Sequence, residues 1–149
     1  MGILTDFVVA DISEAQRIGE SLNPSRDFNG LDAKGIDQVK LAMLYAILSD
    51  QPYDPDFMSA ESLLYAASDD GPWVQQVPPD LVSRLANLSD SDYPAITHQW
   101  AQTEEFTHKH SGYSPAAALE RTEGFLRRIA PLARQSIAEN KALLMWMCL

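Results

Sequence analysis

The chain closes on an apolar run, Ala142 to Leu149, which has no polar side and is only eight residues long. A helix on a protein surface needs a polar face, so we predict a buried terminal strand instead. A second β-prone run, Ile3 to Ala10, lies at the opposite end of the chain. We expect these two runs to form a small antiparallel strand pair, although two strands alone are marginally stable.

The spacing of apolar residues between the two runs predicts about five to six helices. These helices are expected to begin near Asp11 or Ser13, Gly35, Phe57, Pro79, Pro94 and Pro115. Segment 35–48 is apolar on nearly every side, which predicts a central buried helix around which the others pack. The last helix is the longest, and Pro131 should kink or divide it. The pattern therefore indicates a predominantly helical α+β fold.

The size and composition of the chain favour a single compact domain over residues 1–149, since 46% hydrophobic residues suffice for one core. Cys148 is the only cysteine, and its apolar neighbours predict a buried, inert thiol without a disulfide partner. Asp6 and Asp11 interrupt the apolar start, so no secretory signal is predicted. No apolar run reaches the roughly 20 residues of a membrane span. We therefore expect a cytoplasmic protein with no membrane partner.

The net charge of −10, from 21 acidic and 11 basic residues, disfavours nucleic acid as a partner. The charge is also uneven along the chain. Residues 1–92 carry 16 acidic and 5 basic side chains, whereas residues 93–149 carry 5 and 6. This asymmetry predicts that a basic protein partner, if there is one, meets the first part of the chain. Self-association is the alternative, and an acidic surface that only maintains solubility is the simplest interpretation.

The three histidines fall within thirteen residues, together with two glutamates. Imidazole and carboxylate groups are common metal ligands, and Glu104 and His108 are four residues apart, on one side of a helix. The candidate metal ligands are therefore His98, Glu104, His108 and His110. A competing interpretation is a solvated helix face, since His98 is expected to point away from the apolar side of its helix.

Other charged groups are interpreted as structural. Asp50, Asp54 and Asp56 lack the central glycine and closing glutamate of a calcium loop, so turn formation and capping beside the neighbouring prolines explain them better. Four arginines of the last helix could bind a carboxylate or phosphate, but they alternate with glutamates as on a solvated face. These arginines are Arg121, Arg127, Arg128 and Arg134. No common hydrolase, nucleotide-binding or metalloprotease motif is present. No catalytic residue and no cofactor is therefore assigned.

The order of these segments resembles the YfbM-like family of small bacterial proteins. The matching segments are Met1-Gly2 with Phe7 to Ala10, Leu31-Asp32 followed by Lys40-Leu41 to Leu48, and Ala138 to Leu149. The resemblance implies an α+β domain with few strands. Because that family has no established activity, the resemblance carries over no catalytic residue.

Two functions remain open from the sequence. The first is a non-catalytic interaction domain of the inhibitor or immunity type, in which acidic residues before position 93 steer a basic partner. The second is a small metal-dependent hydrolase built around His98, Glu104, His108 and His110. The absence of a recognisable catalytic motif favours the first.

Overall fold

A computed structural model describes residues 2–149 as a predominantly helical α+β fold. The strands are β1 (Leu4–Ala10), β2 (Leu31–Asp32), β3 (Leu63–Ala66), β4 (Trp73–Gln76) and β5 (Ala142–Cys148). The α-helices are α1 (Ala15–Glu20), α2 (Pro24–Asp27), α3 (Gln38–Ser49), α4 (Pro79–Ala86), α5 (Tyr93–Ala101), α6 (Glu104–Thr107) and α7 (Pro115–Ala138). Within these residues, no helix combines the length and apolar character needed to cross a membrane.

The five strands form one sheet in the order β2-β1-β5-β4-β3, and all neighbouring strands are antiparallel. Strands β1 and β5 face each other over their full length, from Leu4 opposite Cys148 to Ala10 opposite Ala142. The prediction of a sheet with only two strands was therefore wrong. The two terminal strands belong to a five-stranded sheet, and β4 pairs with β5 while β2 pairs with β1.

The two faces of the sheet are covered by different helices. Phe7 of β1 belongs to a large core that includes α3, α4, α5 and α7. Its neighbour Val8 points to the opposite face, where it packs with Ala15 and Ile18 of α1. This alternation follows from the two-residue period of a strand. The sheet thus separates a thick helical layer from a thin one.

Helix α7 is the principal core helix. It packs against α4, α5, α6 and strands β1 and β5. Its buried residues recur at helical spacing: Ala118, Thr122, Phe125, Leu126, Ile129, Ala130, Ala133 and Ser136. Ser114 caps its first turn by accepting a hydrogen bond from the N–H of Ala117. The helix is continuous from Pro115 to Ala138, so Pro131 does not divide it. Pro131 is exposed, and solvent can reach the backbone where its hydrogen bond is missing.

The prediction of a central helix at 35–48 was wrong about its position in the core. Helix α3 begins at Gln38, after Asp37 accepts a hydrogen bond from the N–H of Lys40. Only Leu41, Ala42 and Leu44 of this helix are buried. Its other apolar side chains are half-buried or exposed; the ring of Tyr45, for example, stacks on Phe57. An apolar composition on all sides therefore did not identify the helix with the most neighbours.

Two predicted helices differ in the structure. The helix expected from Phe57 is a 3-10 turn (Ala60–Ser62) followed by strand β3. The helix expected from Pro94 stops at Ala101 and resumes as the short α6. At this break Thr103 is extended, and its hydroxyl donates to the carbonyl of Trp100. Local side-chain hydrogen bonds of this kind compete with helix continuation.

The packing of α7 predicts that two leucines of this helix contribute very differently to the free energy of unfolding. Leu126 is fully buried, whereas Leu119 is 41% exposed. We expect Leu126→Ala to lower the free energy of unfolding by about 2–5 kcal/mol, because it leaves a cavity in the core. Leu119→Ala should change it by less than about 1 kcal/mol. Urea denaturation followed by circular dichroism measures both, and similar losses for the two variants would contradict the described packing of α7.

Candidate functional site

The predicted histidine cluster is spread over the surface around α5 and α6. His98, Glu104, His108 and His110 are all exposed. The Nε2 atom of His98 lies 3.0 Å from the side-chain amide of Gln102. The Nδ1 atom of His108 accepts a hydrogen bond from the backbone N–H of His110, at 3.2 Å. Each of these contacts is local and needs no metal ion.

The four candidate ligands are not assembled into a metal-binding set. Over residues 2–149, no group of three or more His, Cys, Asp or Glu side chains is placed to hold a metal ion. The break at Thr103 separates the helix of His98 from that of Glu104. A continuous helix, as predicted from the sequence, would have related these side chains by regular spacing. The geometry thus gives no support to the metal-dependent hydrolase.

The single thiol has a local partner as well. Cys148 is half-buried rather than fully buried, and its Sγ lies 3.6 Å from the carbonyl oxygen of Leu149. Its side of the sheet also carries Trp146 and Leu144. These contacts are typical of a packed cysteine in an apolar environment.

An acidic stretch occupies the segment between α3 and α4. No Lys or Arg occurs between Lys40 and Arg84, while seven acidic residues do. Six of these are exposed and lie within residues 50–70: Asp50, Asp54, Asp56, Glu61, Asp69 and Asp70. None of the six forms an ion pair with any residue of the described chain 2–149. The local charge is therefore uncompensated.

The acidic stretch contains an edge strand of the sheet. Strand β3 is the last strand on its side and pairs only with β4 among the described strands. Glu61 precedes β3, and Asp69 and Asp70 lie in the turn that follows it. Leu63 of this strand is 42% exposed. We call residues 50–70 the acidic edge. It combines an open strand, an exposed apolar side chain and six carboxylates.

A second feature is a cleft between α7 and the segment that links β2 to α3. It consists of two adjoining cavities of about 500 and 410 Å³, which share Tyr113 and Arg121. Its floor is apolar and includes Ile36 and Phe125. We call this the α7 cleft. Its volume falls in the range of small-molecule sites in proteins.

The charge of the α7 cleft is opposite to that of the whole chain. Four cations line it, Lys34, Lys40, Arg121 and Arg128, against two carboxylates, Asp37 and Glu120. Lys40 and Asp37 form an ion pair at 3.6 Å. The guanidinium of Arg128 donates to the backbone carbonyl of Asp32 at 2.9 Å, which holds it against the cleft wall. The excess positive charge therefore belongs mainly to Lys34, Arg121 and Arg128.

Sequence reasoning assigned the acidity to the first part of the chain but located neither the edge strand nor the cleft. The acidic edge was divided between a loop and a helix, because β3 was not predicted. Two of the four arginines assigned to a solvated face line the α7 cleft instead. Arg121 and Arg128 are two turns apart on α7, so they share one side of the helix. That spacing was readable from the sequence, but the opposing segment at Ala33–Asp37 was not.

Asp6 is the titratable group most deeply placed in the sheet. It lies in β1 opposite Asp32 and Trp146, and its carboxylate accepts a hydrogen bond from the N–H of Ser25 at 2.7 Å. Burial raises the pKa of Asp6, and the hydrogen bonds from Ser25 oppose this shift only in part. Asp6 therefore anchors the start of α2 to the sheet at an electrostatic cost.

The raised pKa of Asp6 predicts a pH-dependent effect of Asp6→Asn. The folded chain binds this proton more readily than the unfolded chain, so the associated stabilisation is complete below the ordinary pKa and disappears as pH rises through the folded pKa. At pH 7 the variant should be more stable than the wild type, since the amide retains an acceptor for Ser25 without a buried charge. The difference should shrink near pH 3.5. Urea titrations at both pH values measure it, and a variant less stable at pH 7 would refute this account.

No family model, curated protein or solved structure matches this chain. The resemblance to the YfbM-like family stays a prediction.

Proposed function

We propose that this protein is a non-catalytic interaction domain of the inhibitor or immunity type, and that it binds a basic protein through the acidic edge. The observation that supports this proposal is the set of six exposed carboxylates within residues 50–70 that form no ion pair in the described part of the chain. A cluster of like charges creates an electrostatic field that steers an oppositely charged partner into contact, most strongly at low salt. At physiological salt the screening length is about 8 Å, so the attraction acts mainly over short distances.

The open strand gives the acidic edge a second means of recognition. An edge strand presents unpaired backbone N–H and C=O groups, which an extended segment of another chain can use. Leu63 supplies an apolar contact on this strand, and Met58, Leu63 and Trp73 border a cavity of about 270 Å³ beside it. A partner segment with basic side chains and one apolar anchor matches these groups.

The same charges disfavour self-association through this edge. Pairing two copies of β3 would bring Glu61, Asp69 and Asp70 of one copy close to those of another. Like charges in apposition at an interface oppose binding. We therefore place a basic partner, rather than a second copy of this chain, at the acidic edge.

A variant that removes four of these charges tests the proposal. Its substitutions are Asp54→Asn, Asp56→Asn, Glu61→Gln and Asp70→Asn. Asn at position 54 retains the side-chain oxygen that accepts the N–H of Asp56. We expect the variant to fold normally and to bind the natural partner on the order of tenfold or more weakly, because each exposed charge contributes up to about 1 kcal/mol. Affinity capture followed by titration of the purified partner measures this loss.

A matched control removes four exposed acidic charges elsewhere. Its substitutions are Asp11→Asn, Glu20→Gln, Glu104→Gln and Glu139→Gln. This control has the same net charge as the edge variant, so total charge cannot explain a difference between them. The proposal requires a basic partner that is retained by the control, lost by the edge variant and weakened by added salt. Equal retention by both variants would exclude the acidic edge as the docking site.

A further inference from the structure

The distribution of unpaired cations in this acidic protein is not even. The chain has 11 Lys and Arg residues. Six form ion pairs within the described chain: Arg17, Arg26, Lys40, Arg84, Arg127 and Lys141. Of the remaining five, Lys34, Arg121 and Arg128 line the α7 cleft. With 21 acidic residues in the chain, cations have abundant partners, yet these three line the two adjoining cavities of one cleft without an ion pair among residues 2–149.

The structure positions Arg121 at the centre of this arrangement. Arg121 borders both cavities of the α7 cleft. A Cβ atom at Gly35 would lie 3.7 Å from Nη2 of Arg121 and 3.3 Å from the hydroxyl of Tyr113. The guanidinium and the phenol therefore extend over the same short piece of backbone. Gly35 has a positive φ of 88°, a conformation that glycine adopts without strain and that allows this close approach.

Arg128 supplies a second, pre-positioned guanidinium. Its hydrogen bond to the carbonyl of Asp32 fixes one nitrogen. The other N–H groups of a guanidinium remain available, since the group carries five donors in a planar fork. Such forks match the oxygens of carboxylate and phosphate groups, often with two parallel hydrogen bonds.

We infer that the α7 cleft is a binding site for a small organic anion, held by Arg121, Arg128 and Lys34 through its carboxylate or phosphate group. The hydroxyl of Tyr113 is a further donor to the same group. The apolar floor at Ala33, Ile36 and Phe125 accommodates the organic part of the molecule. Glu120 at the cleft wall opposes a second negative charge there, which favours a ligand with its anionic group at one end.

This inference does not depend on the proposed protein partner. The cleft is formed by α7 and residues 33–37, whereas the acidic edge comprises residues 50–70. The acidic-edge variant retains every cleft residue. Loss of partner binding in that variant therefore says nothing about the cleft, and each site has its own test.

Titration with four simple probes tests the inference at low salt. The probes are phenyl phosphate, benzoate, inorganic phosphate and uncharged benzyl alcohol. We expect phenyl phosphate or benzoate to shift backbone amide signals of residues 33–37 and of the first half of α7. Inorganic phosphate should bind more weakly because it lacks an apolar part, and benzyl alcohol should not bind measurably. The stronger of the two organic anions identifies the preferred anionic group.

Arg121→Gln should weaken binding of the organic anion by about tenfold or more, since it removes a charge-assisted hydrogen bond. Arg17→Gln is the matched control. It removes the same charge from the exposed α1, which packs on the opposite face of the sheet. The inference is overturned if neither organic anion shifts the cleft signals, or if Arg121→Gln and Arg17→Gln bind the anion equally well.

Discussion

The antiparallel pairing of β1 with β5 is the contact on which the rest of the fold depends. It joins the two ends of the chain over the whole length of both strands. Strand β5 then provides the edge on which β4 and β3 are added, and β1 provides the edge for β2. Helix α7 leads directly into β5 through Asn140, which has a positive φ of 54°. The tight turn places α7 back across β1 and β5, where it can organise the helical layer.

Aromatic contacts connect the sheet to α7 and, through α7, to α5. The ring of Phe7 in β1 lies 5.6 Å from that of Phe125 in α7, which in turn lies 5.6 Å from Trp100 in α5. The indole N–H of Trp100 donates to the carbonyl of Lys40 in α3. One chain of contacts therefore connects β1, α7, α5 and α3.

The sequence predicted the helices and strands whose signals lie within their own residues. Residues 142–149 and 3–10 are apolar enough to indicate strands, and Ser114-Pro115 marks the start of α7 by capping. Strands β3 and β4 were missed because they are short, and because Gln75 and Gln76 dilute the apolar pattern. Gln75 is buried, and its side-chain oxygen accepts a hydrogen bond from the side-chain amide of Gln38 in α3. Such a strand is stabilised by its partners rather than by its own composition, so its prediction requires knowledge of the sheet.

For the candidate sites as well, the sequence shows the local residue pattern but not the contacts between distant segments. The acidity of residues 50–70 is visible in the sequence, but the edge strand β3 within this stretch is not. The histidine cluster is visible in the sequence as a pattern, whereas the break at Thr103, which separates the helix of His98 from that of Glu104, is not. The cleft arginines were assigned to a solvated face because neighbouring glutamates suggested pairing. Among residues 2–149, the structure pairs Arg127 with Glu123 and gives Arg121 no ion pair.

The net charge of −10 conceals two surfaces of opposite sign, and this separation has a physical consequence for binding. A cation surrounded by excess carboxylates lowers its energy by pairing with one of them, so pairing is expected wherever side chains can reach. In the α7 cleft the backbone competes for this role: the carbonyl of Asp32 takes one N–H of Arg128, and the glycine at position 35 keeps the space beside Arg121 open. Distant carboxylates are screened over about 8–10 Å in salt. A small anion entering the cleft therefore meets the local positive charge, even though the protein as a whole repels it.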